Sequence, residues 1–347
     1  MEKNNSDVLV TGGAGFIGSH SLISLINNNY NPIIIDNLSN SSIKTIHAVE
    51  KITSREIKFY KLDLLDVDEL EEVFKDNDFS SVVHFAGLKS VGESVSVPLH
   101  YFRNNILGTI NVLDLCNKYG INKFIFSSSA SVYGNNENVP LKEDSELSPL
   151  SPYAYSKLII ENMLTSLCSS NDESSSNNWK IIMLRYFNPI GAHESGLISE
   201  KVPNIPPNIM PLILRVAFGE MNELSVYGND YETTDGTGVR DYIHVMDLAD
   251  GHVAALNNLY KTADKENFCK AINLGTGQGY TVLELIKYFI KYTGTEIPYR
   301  IVDRRSGDIG SSFANAEYAK HILQWEAKRD IKSMILDSWN AYKYQRQ

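Results

Sequence analysis

Val8-Leu9-Val10-Thr11-Gly12-Gly13-Ala14-Gly15-Phe16-Ile17-Gly18 decides the fold. A β-prone run from Val8 to Thr11 enters a cluster of glycines, and a helix-compatible stretch follows through Ile26, so the segment reads as strand, tight turn, helix. Glycine meets three demands in such a turn. One glycine takes a conformation that a Cβ would block, one lets the backbone approach a pyrophosphate, and one allows the helix to pack closely on the strand. Free amides at the helix start then suit phosphate. A bare glycine cluster is equally an ordinary tight turn, and context separates the readings. Asp36 ends a second strand, Ile33 to Asp36, roughly 20 residues downstream, where a carboxylate accepts from ribose hydroxyls. That carboxylate repels a 2′-phosphate, so NAD is expected rather than NADP. Asp63, closing a third strand over Ile57 to Leu62, is placed for the adenine side, or to cap a helix beginning at Leu64.

Working outward, strands are expected at Val82 to Ala86, Lys123 to Ser128 and Trp179 to Tyr186, with helices at Val67 to Phe74, Asn104 to Tyr119 and Tyr153 to Ser166. Apolar strands alternating with amphipathic helices predict an α/β fold, a doubly wound parallel sheet of Rossmann type covered on both faces. The run Ser169 to Asn178 is almost entirely Ser, Asn, Asp and Glu and reads as a solvated loop. After Phe187 the texture changes, with Pro189, Pro203, Pro206, Pro207 and Pro211 spread through a polar stretch. We therefore expect a dinucleotide-binding domain over residues 1–187 and a smaller substrate-binding α/β domain over 188–347, with the strand-to-helix pattern at 239–259 free to pack back on the first sheet.

The 347 residues suffice for about two domains, and 43% hydrophobic with 21% charged residues predicts a globular chain. A formal charge of -10 repels phosphate backbones and anionic lipid, which argues against nucleic acid and membrane partners. The amino terminus, Met1 to Asp7, lacks the basic and apolar regions of a signal peptide, and no apolar run approaches the roughly 18 residues of a membrane span. A soluble, cytoplasmic protein is expected. Cys116, Cys168 and Cys269 lack metal-type spacing and read as reduced thiols buried as small apolar residues. The eight histidines show no ligand spacing either, so no metal is expected.

Tyr153 and Lys157, four apart at a helix start, share one face. A phenol titrates near 10, and an adjacent ammonium favours phenolate, giving a base near neutral pH. Tyr and Lys at this spacing are also common surface residues. Ser127-Ser128-Ser129 at a strand's carboxyl end, where open α/β sheets bind ligands, favours the catalytic reading. Tyr155 is a second phenol, but it is two residues from Lys157 and faces elsewhere.

The glycine string, Ser129 and Tyr153-x-x-x-Lys157 together resemble the extended short-chain dehydrogenase/reductases. Three longer strings, His84 to Lys89, Leu184 to Pro189 and Asp235 to Asp247, narrow the resemblance to the UDP-glucose 4-epimerase family, over nearly the whole chain. The resemblance implies interconversion of UDP-glucose and UDP-galactose in galactose metabolism, with NAD retained between turnovers. It makes Tyr153, helped by Ser129, the group that takes the proton from the sugar 4-hydroxyl, and Lys157 the group that holds the nicotinamide ribose and keeps Tyr153 acidic. It assigns NAD contacts to Gly12, Gly15, Phe16, Ile17, Asp36, Asn37, Asp63, Leu64, Phe85, Ala86, Lys89, Asn104, Lys157 and Phe187. Nucleotide-sugar contacts fall on Ser129, Tyr153, Asn188, Asn208, Tyr227, Arg240, Arg305 and Asp308, the two arginines suiting the diphosphate unless they are ordinary surface ion pairs.

Ser312 aligns with a sugar-pocket wall where some family members carry tyrosine, so room for a 2-acetamido group, and activity on UDP-GlcNAc and UDP-GalNAc, is expected. The family also implies a homodimer through the Asn104 to Tyr119 and Tyr153 helices, though their apolar residues are equally explained by packing on the sheet. Rival readings are a nucleotide-sugar 4,6-dehydratase, a decarboxylase and a non-catalytic NAD-sensing module. Dehydration needs a carboxyl pair just after the catalytic hydroxyl, where this chain has Ala130 and Ser131. No site for a substrate carboxylate is identifiable, and a sensor has no need of Tyr153 and Lys157.

Overall fold

The computed structural model describes residues 6–136, 138–170, 178–200, 208–263, 267–305 and 307–346. Pro203, Pro206 and Pro207, and most of the polar run 169–178, lie outside them. The first half alternates as the sequence predicts. β1 (Asp7–Thr11), α1 (Phe16–Asn27), β2 (Asn31–Ile35), α2 (Ile43–Thr53), β3 (Phe59–Tyr60), α3 (Val67–Lys75) and β4 (Phe79–His84) form the first mononucleotide-sized half. Then come α4 (Val91–Ser96), α5 (Pro98–Phe102), a π turn at Arg103–Leu107, α6 (Gly108–Lys118), β5 (Lys123–Ser129), α7 (Pro152–Ser169) and β6 (Lys180–Tyr186).

The helix expected from Asn104 to Tyr119 is present, with its first turn widened to π geometry over Arg103–Leu107. Asn105 in the π turn accepts at Oδ1 from the Leu88 amide (2.8 Å) and donates through Nδ2 to the Leu88 carbonyl (3.1 Å) and Ser156 Oγ (3.0 Å), bonds that tie the turn to the segment after β4. The third strand shrinks to two residues paired with Ile34 and Ile35.

Past Phe187 the chain builds β7 (Asn188–Ile190), α8 (Ile209–Ala217), β8 (Leu224–Tyr227), β9 (Val239–His244), α9 (Val245–Lys261), β10 (Phe268–Leu274), β11 (Gly279–Thr281), α10 (Val282–Thr293), β12 (Tyr299–Val302), β13 (Ser311–Ser312), α11 (Glu317–Leu323) and α12 (Ile331–Tyr344). Here space departs from chain order. The main sheet is seven-stranded, β10-β6-β5-β4-β1-β2-β3, and parallel throughout. β10 is its edge strand and α9 packs beside α1, so Val245–Lys261 and Phe268–Leu274 return to the first layer although they lie beyond residue 188. The apolar residues of Phe268–Leu274, of which Ile272 and Leu274 are buried, are the signal for this return.

One apolar core, including Leu22, Ile34, Leu248 and Leu256, lies under α1, α2 and α9, and another, including Val112, Phe124, Leu164 and Ile181, under α3, α6 and α7. A third gathers α8, α10 and α12 around Phe289, Met210 and Ile335. A small cluster of Val132, Tyr133, Leu141, Phe187 and Ala314 joins the end of β5 to the segment after β13, so the two substructures meet beside the carboxyl ends of the main strands. Among the described residues no helix is long and apolar enough to cross a membrane.

Candidate active site

In a parallel sheet that winds outward in both directions, the crevice opens at the carboxyl ends of the strands where the winding reverses, here between β1 and β4. The residues expected to touch a dinucleotide cluster at those ends. Gly12, Gly15, Phe16 and Ile17 follow β1, Asp36 and Asn37 follow β2, Asp63 and Leu64 follow β3, Phe85, Ala86 and Lys89 follow β4, and Phe187 follows β6. Asn104 sits in the π turn and donates to Asn105 Oδ1 (3.0 Å).

The glycine turn has the geometry its sequence demands. Gly12 has φ +71°, and a Cβ there would lie 2.6 Å from the Ala86 amide nitrogen; a Cβ on Gly18 would lie 2.4 Å from the Gly12 carbonyl oxygen. No side chain caps α1, and its first turn contains no acidic residue, so the positive end of the helix opens on the crevice. Asp36 is buried: Oδ1 accepts from the Leu38 amide (2.8 Å) and Ser41 Oγ (2.9 Å), while Oδ2 accepts from Ala14 N alone (3.0 Å). Oδ2 therefore retains a lone pair for a ribose hydroxyl. Asp63 does not cap the following helix, which begins at Val67; its Oδ1 closes a turn with the Leu65 amide and its Oδ2 accepts from Asn37. These residues fit a dinucleotide with free ribose hydroxyls.

Ser129 is the last residue of β5, and its Oγ accepts from the Ser131 amide (3.1 Å) at the start of the short helix Ala130–Tyr133. Ser151 caps α7 by accepting from Ala154 N (3.2 Å), with Pro152 in the first helical turn, which fixes where Tyr153 and Lys157 project. Ser129 hydrogen-bonds the Tyr153 phenol. Lys157 is 5% exposed and donates to the Ser127 carbonyl (2.7 Å), its Nζ 5.9 Å from the Tyr153 ring centre. Tyr155 is half-exposed and points away.

The electrostatics differ from the sequence expectation. Burial raises the Tyr153 phenol above its ordinary value, and the bond from Ser129 only partly opposes it. Burial also pushes Lys157 down to about 8, against the attraction of Glu161. Withdrawal from water dominates at both groups, so without ligand the phenol remains protonated at neutral pH.

Beneath the pair lie groups that sequence reasoning missed. Thr109 Oγ1 donates to Asn105 O (2.7 Å), so it accepts from His84 Nε2 (3.0 Å), and His84 Nδ1 accepts from Thr11 Oγ1 (2.8 Å). This network assigns a neutral His84, and burial, followed by repulsion from Lys157, pushes it down to about 3. Glu161 accepts from Ser128 Oγ (2.5 Å) and from Arg185 Nε and Nη2 in a two-pronged buried ion pair. Leu184 to Pro189 carries the family resemblance; its arginine holds α7 to the sheet.

The expected nucleotide-sugar residues fall on the second substructure. Arg305 lies over the Tyr227 ring (4.4 Å) and its guanidinium pairs with Asp308 (3.0 Å), joining three of them, although Arg305 is half-exposed and in this state makes the surface ion pair of the alternative reading. Arg240 donates to the Val239 carbonyl (2.8 Å) and lies opposite Ser312 in the β9–β13 register. Ser312 is buried, and Asp241, which accepts from Thr276, Gly277 and Ala314 amides, fixes the segment that follows it. Asn188 opens β7, opposite Tyr242. Asn208 precedes α8 and donates to Glu200 Oε1 (2.9 Å), the same oxygen that accepts from Lys89 Nζ (3.0 Å). Glu200 thus bridges an expected cofactor residue and an expected sugar residue, a link with no signal in chain order. Among the described residues no three His, Cys, Asp or Glu side chains gather as a metal site.

Comparison with known proteins places this geometry. The family model described as GDP-mannose 4,6 dehydratase matches residues 9–338. A UDP-glucose 4-epimerase of Bacillus subtilis is 50% identical over 332 residues, 96% of this chain and 95% of the relative. One from Dictyostelium discoideum is 50% identical over 339 residues, 98% of this chain and 96% of its own. Among solved structures, UDP-glucose 4-epimerase from Bifidobacterium longum in complex with NAD+ and UDP is 45% identical with a TM-score of 0.92, covering 98% of this chain and 99% of that one. The enzyme from Stenotrophomonas maltophila, with bound NAD and formylated UDP-arabinopyranose, is 42% identical with a TM-score of 0.93 over 98% and 99% of the two chains. The chain belongs to the family described by the GDP-mannose 4,6 dehydratase model and, within it, to the UDP-glucose 4-epimerases.

Proposed function

We propose that this protein is an NAD-dependent epimerase that interconverts UDP-glucose and UDP-galactose at C4 through a 4-keto sugar. The observation that carries the reading is the juxtaposition of Tyr153, Ser129 and Lys157 at the carboxyl end of β5, beside a glycine turn and an Asp36 carboxylate that fit the dinucleotide. When bound, NAD supplies the hydride acceptor and donor for sugar C4, and in its oxidised form a positive charge within the crevice. Tyr153 takes the proton from the sugar 4-hydroxyl and returns it, with Ser129 hydrogen-bonded to the phenol oxygen. Lys157, held by the Ser127 carbonyl, is the remaining cation at the phenol and is placed for a ribose hydroxyl. Tyr227, Arg240, Arg305 and Asp308 grip the nucleotide diphosphate, with Arg305 exchanging Asp308 for phosphate oxygens, while the sugar turns between Ser129 and the Ser312 wall.

The small, buried Ser312 supports turnover of UDP-GlcNAc and UDP-GalNAc as well. A 4,6-dehydratase is disfavoured because Ala130 and Ser131 follow Ser129 where a carboxyl pair is needed. A homodimer accounts for the exposed apolar residues Leu99, Leu107, Tyr155 and Ile159 on or beside α5 and α7, and light scattering at micromolar concentration tests it. The deciding experiment is NMR product analysis after incubation with UDP-galactose. Wild type should yield UDP-glucose with no net NADH release, and Tyr153→Phe should lose conversion with NAD still bound. Equal conversion by both proteins refutes the reading.

A further inference from the structure

Sequence arithmetic treats the three cysteines as unrelated, but the fold brings two of them together. Cys168 lies in the last turn of α7 on the stripe Lys157, Glu161, Leu164, Cys168 that faces the sheet, and it is buried. Cys269 is the second residue of the edge strand β10. The Cys168 Sγ lies 3.8 Å from the carbonyl oxygen of Phe268, the residue before Cys269, and Thr165 Oγ1, one turn earlier on α7, lies 4.0 Å from Cys269 Sγ. The two thiols therefore sit side by side where α7 crosses the start of β10, near enough for each to perturb the other. Cys116, fully buried in α6, takes no part.

The two thiols are not equivalent. Cys269 is partly exposed and lines an open cavity of about 870 Å³, together with Thr165, Arg185, Lys270 and His321, so a small polar solute reaches it directly. Cys168 sits behind it. The neighbouring Cys168 holds the Cys269 thiol below the ordinary cysteine value, and the same proximity pushes Cys168 up. An accessible, more acidic thiol beside a buried partner is the arrangement of an attacking and a resolving cysteine.

We propose that Cys168 and Cys269 form a reversible intramolecular disulfide, with hydrogen peroxide as the oxidant, which locks the carboxyl end of α7 to the edge of the main sheet. In the first step the Cys269 thiolate attacks one peroxide oxygen, the O–O bond breaks, hydroxide leaves, and Cys269 becomes a sulfenic acid. In the second the Cys168 sulfur attacks the Cys269 sulfur, the S–O bond breaks, and the departing hydroxide takes up the Cys168 proton as water. Overall two thiols are oxidised, one peroxide is reduced, and two waters form. Because the thiols lie on neighbouring positions of two packed elements, the bond asks only for a local adjustment of the two side chains. It closes a loop of about 100 residues, which restricts the unfolded chain. Tyr153 and Lys157 lie at the far end of α7, so the lock acts on the endurance of the fold rather than on the chemistry.

The test uses the reduced, purified protein treated with a small excess of hydrogen peroxide. Thiols titratable after denaturation should fall from three to one, the intact mass should drop by two hydrogens, and a digest should link the Cys168 and Cys269 peptides. Dithiothreitol should restore all three thiols, and the oxidised protein should resist urea better than the reduced one. In Cys168→Ser, Cys269 should stop at a sulfenic acid trapped by dimedone, and Cys269→Ser should leave the other two thiols unmodified. Three remaining thiols, a linkage through Cys116, or a stable sulfenic acid in wild type would each overturn the proposal. The wild-type peptide map decides by itself if a variant does not fold.

Discussion

Lys157→Met should abolish turnover by the NAD-loaded enzyme and, in the NAD-free protein at pH 7, raise stability. The ammonium is almost completely buried, and burial brings its pKa from 10.5 to about 8. At about 1.4 kcal/mol per pH unit, holding that charge costs the folded state about 3 kcal/mol. Methionine removes the cost but cannot donate to the Ser127 carbonyl, and the lost bond takes back about 1 kcal/mol, leaving a net gain of about 2 kcal/mol. The folded-state value is depressed, so between pH 8 and 10.5 the unfolded chain binds more protons than the folded one, and wild-type stability from this group rises with pH. The variant has no such rise. Its advantage should be full at pH 7, shrink from pH 8 and vanish by about pH 10. Urea unfolding of NAD-free wild type and variant at several pH values measures this difference, in which the contributions of all other groups cancel. A variant less stable than wild type at pH 7, or a stability difference independent of pH, would refute the account of Lys157 as a charge the fold pays to keep.

Three further outcomes follow from the same reasoning. His20 and His84, each pushed down to about 3, and His252, pushed down to about 4, are buried and neutral, so stability should fall as pH drops below 6.5, with each histidine costing about 2 kcal/mol at pH 5. Denaturation between pH 7 and 5 checks this, and His84→Gln should flatten the slope by about a third. Arg185→Met should destabilise by about 3–5 kcal/mol because it leaves Glu161 charged and buried, and Arg185→Met with Glu161→Leu should recover most of the loss in urea titrations. Ser312→Tyr should abolish conversion of UDP-GlcNAc while UDP-galactose still turns over, and equal retention of both activities would remove Ser312 from the pocket wall.

The glycine turn, Asp36 and the Tyr153–Lys157 pair were readable because each is a local pattern. A turn with positive φ demands glycine, and a helix carries residues four apart on one face. The longer strings were recognisable without being intelligible. In Asp235 to Asp247 the acidic residues are ties: Asp235 accepts from Thr237 and Thr281, Asp241 binds the segment before β11 and the one after β13, and Asp247 pairs with Arg329. Apart from Thr237, each partner is distant in sequence, so only folding shows the role.

The sequence by itself determined the parallel α/β layering, the dinucleotide crevice and the helix that bears the phenol, since these follow from periodicities and turn chemistry within a few tens of residues. Tertiary structure decided that Phe268–Leu274 completes the first sheet, that Arg185 anchors α7 through Glu161, and that Cys168 lies beside the start of β10. It also decided the proton affinity of Tyr153 and Lys157. Sequence spacing tells which groups are neighbours, but the water removed from around them depends on everything that packs over the site, and here that removal raises the Tyr153 phenol and lowers the Lys157 ammonium.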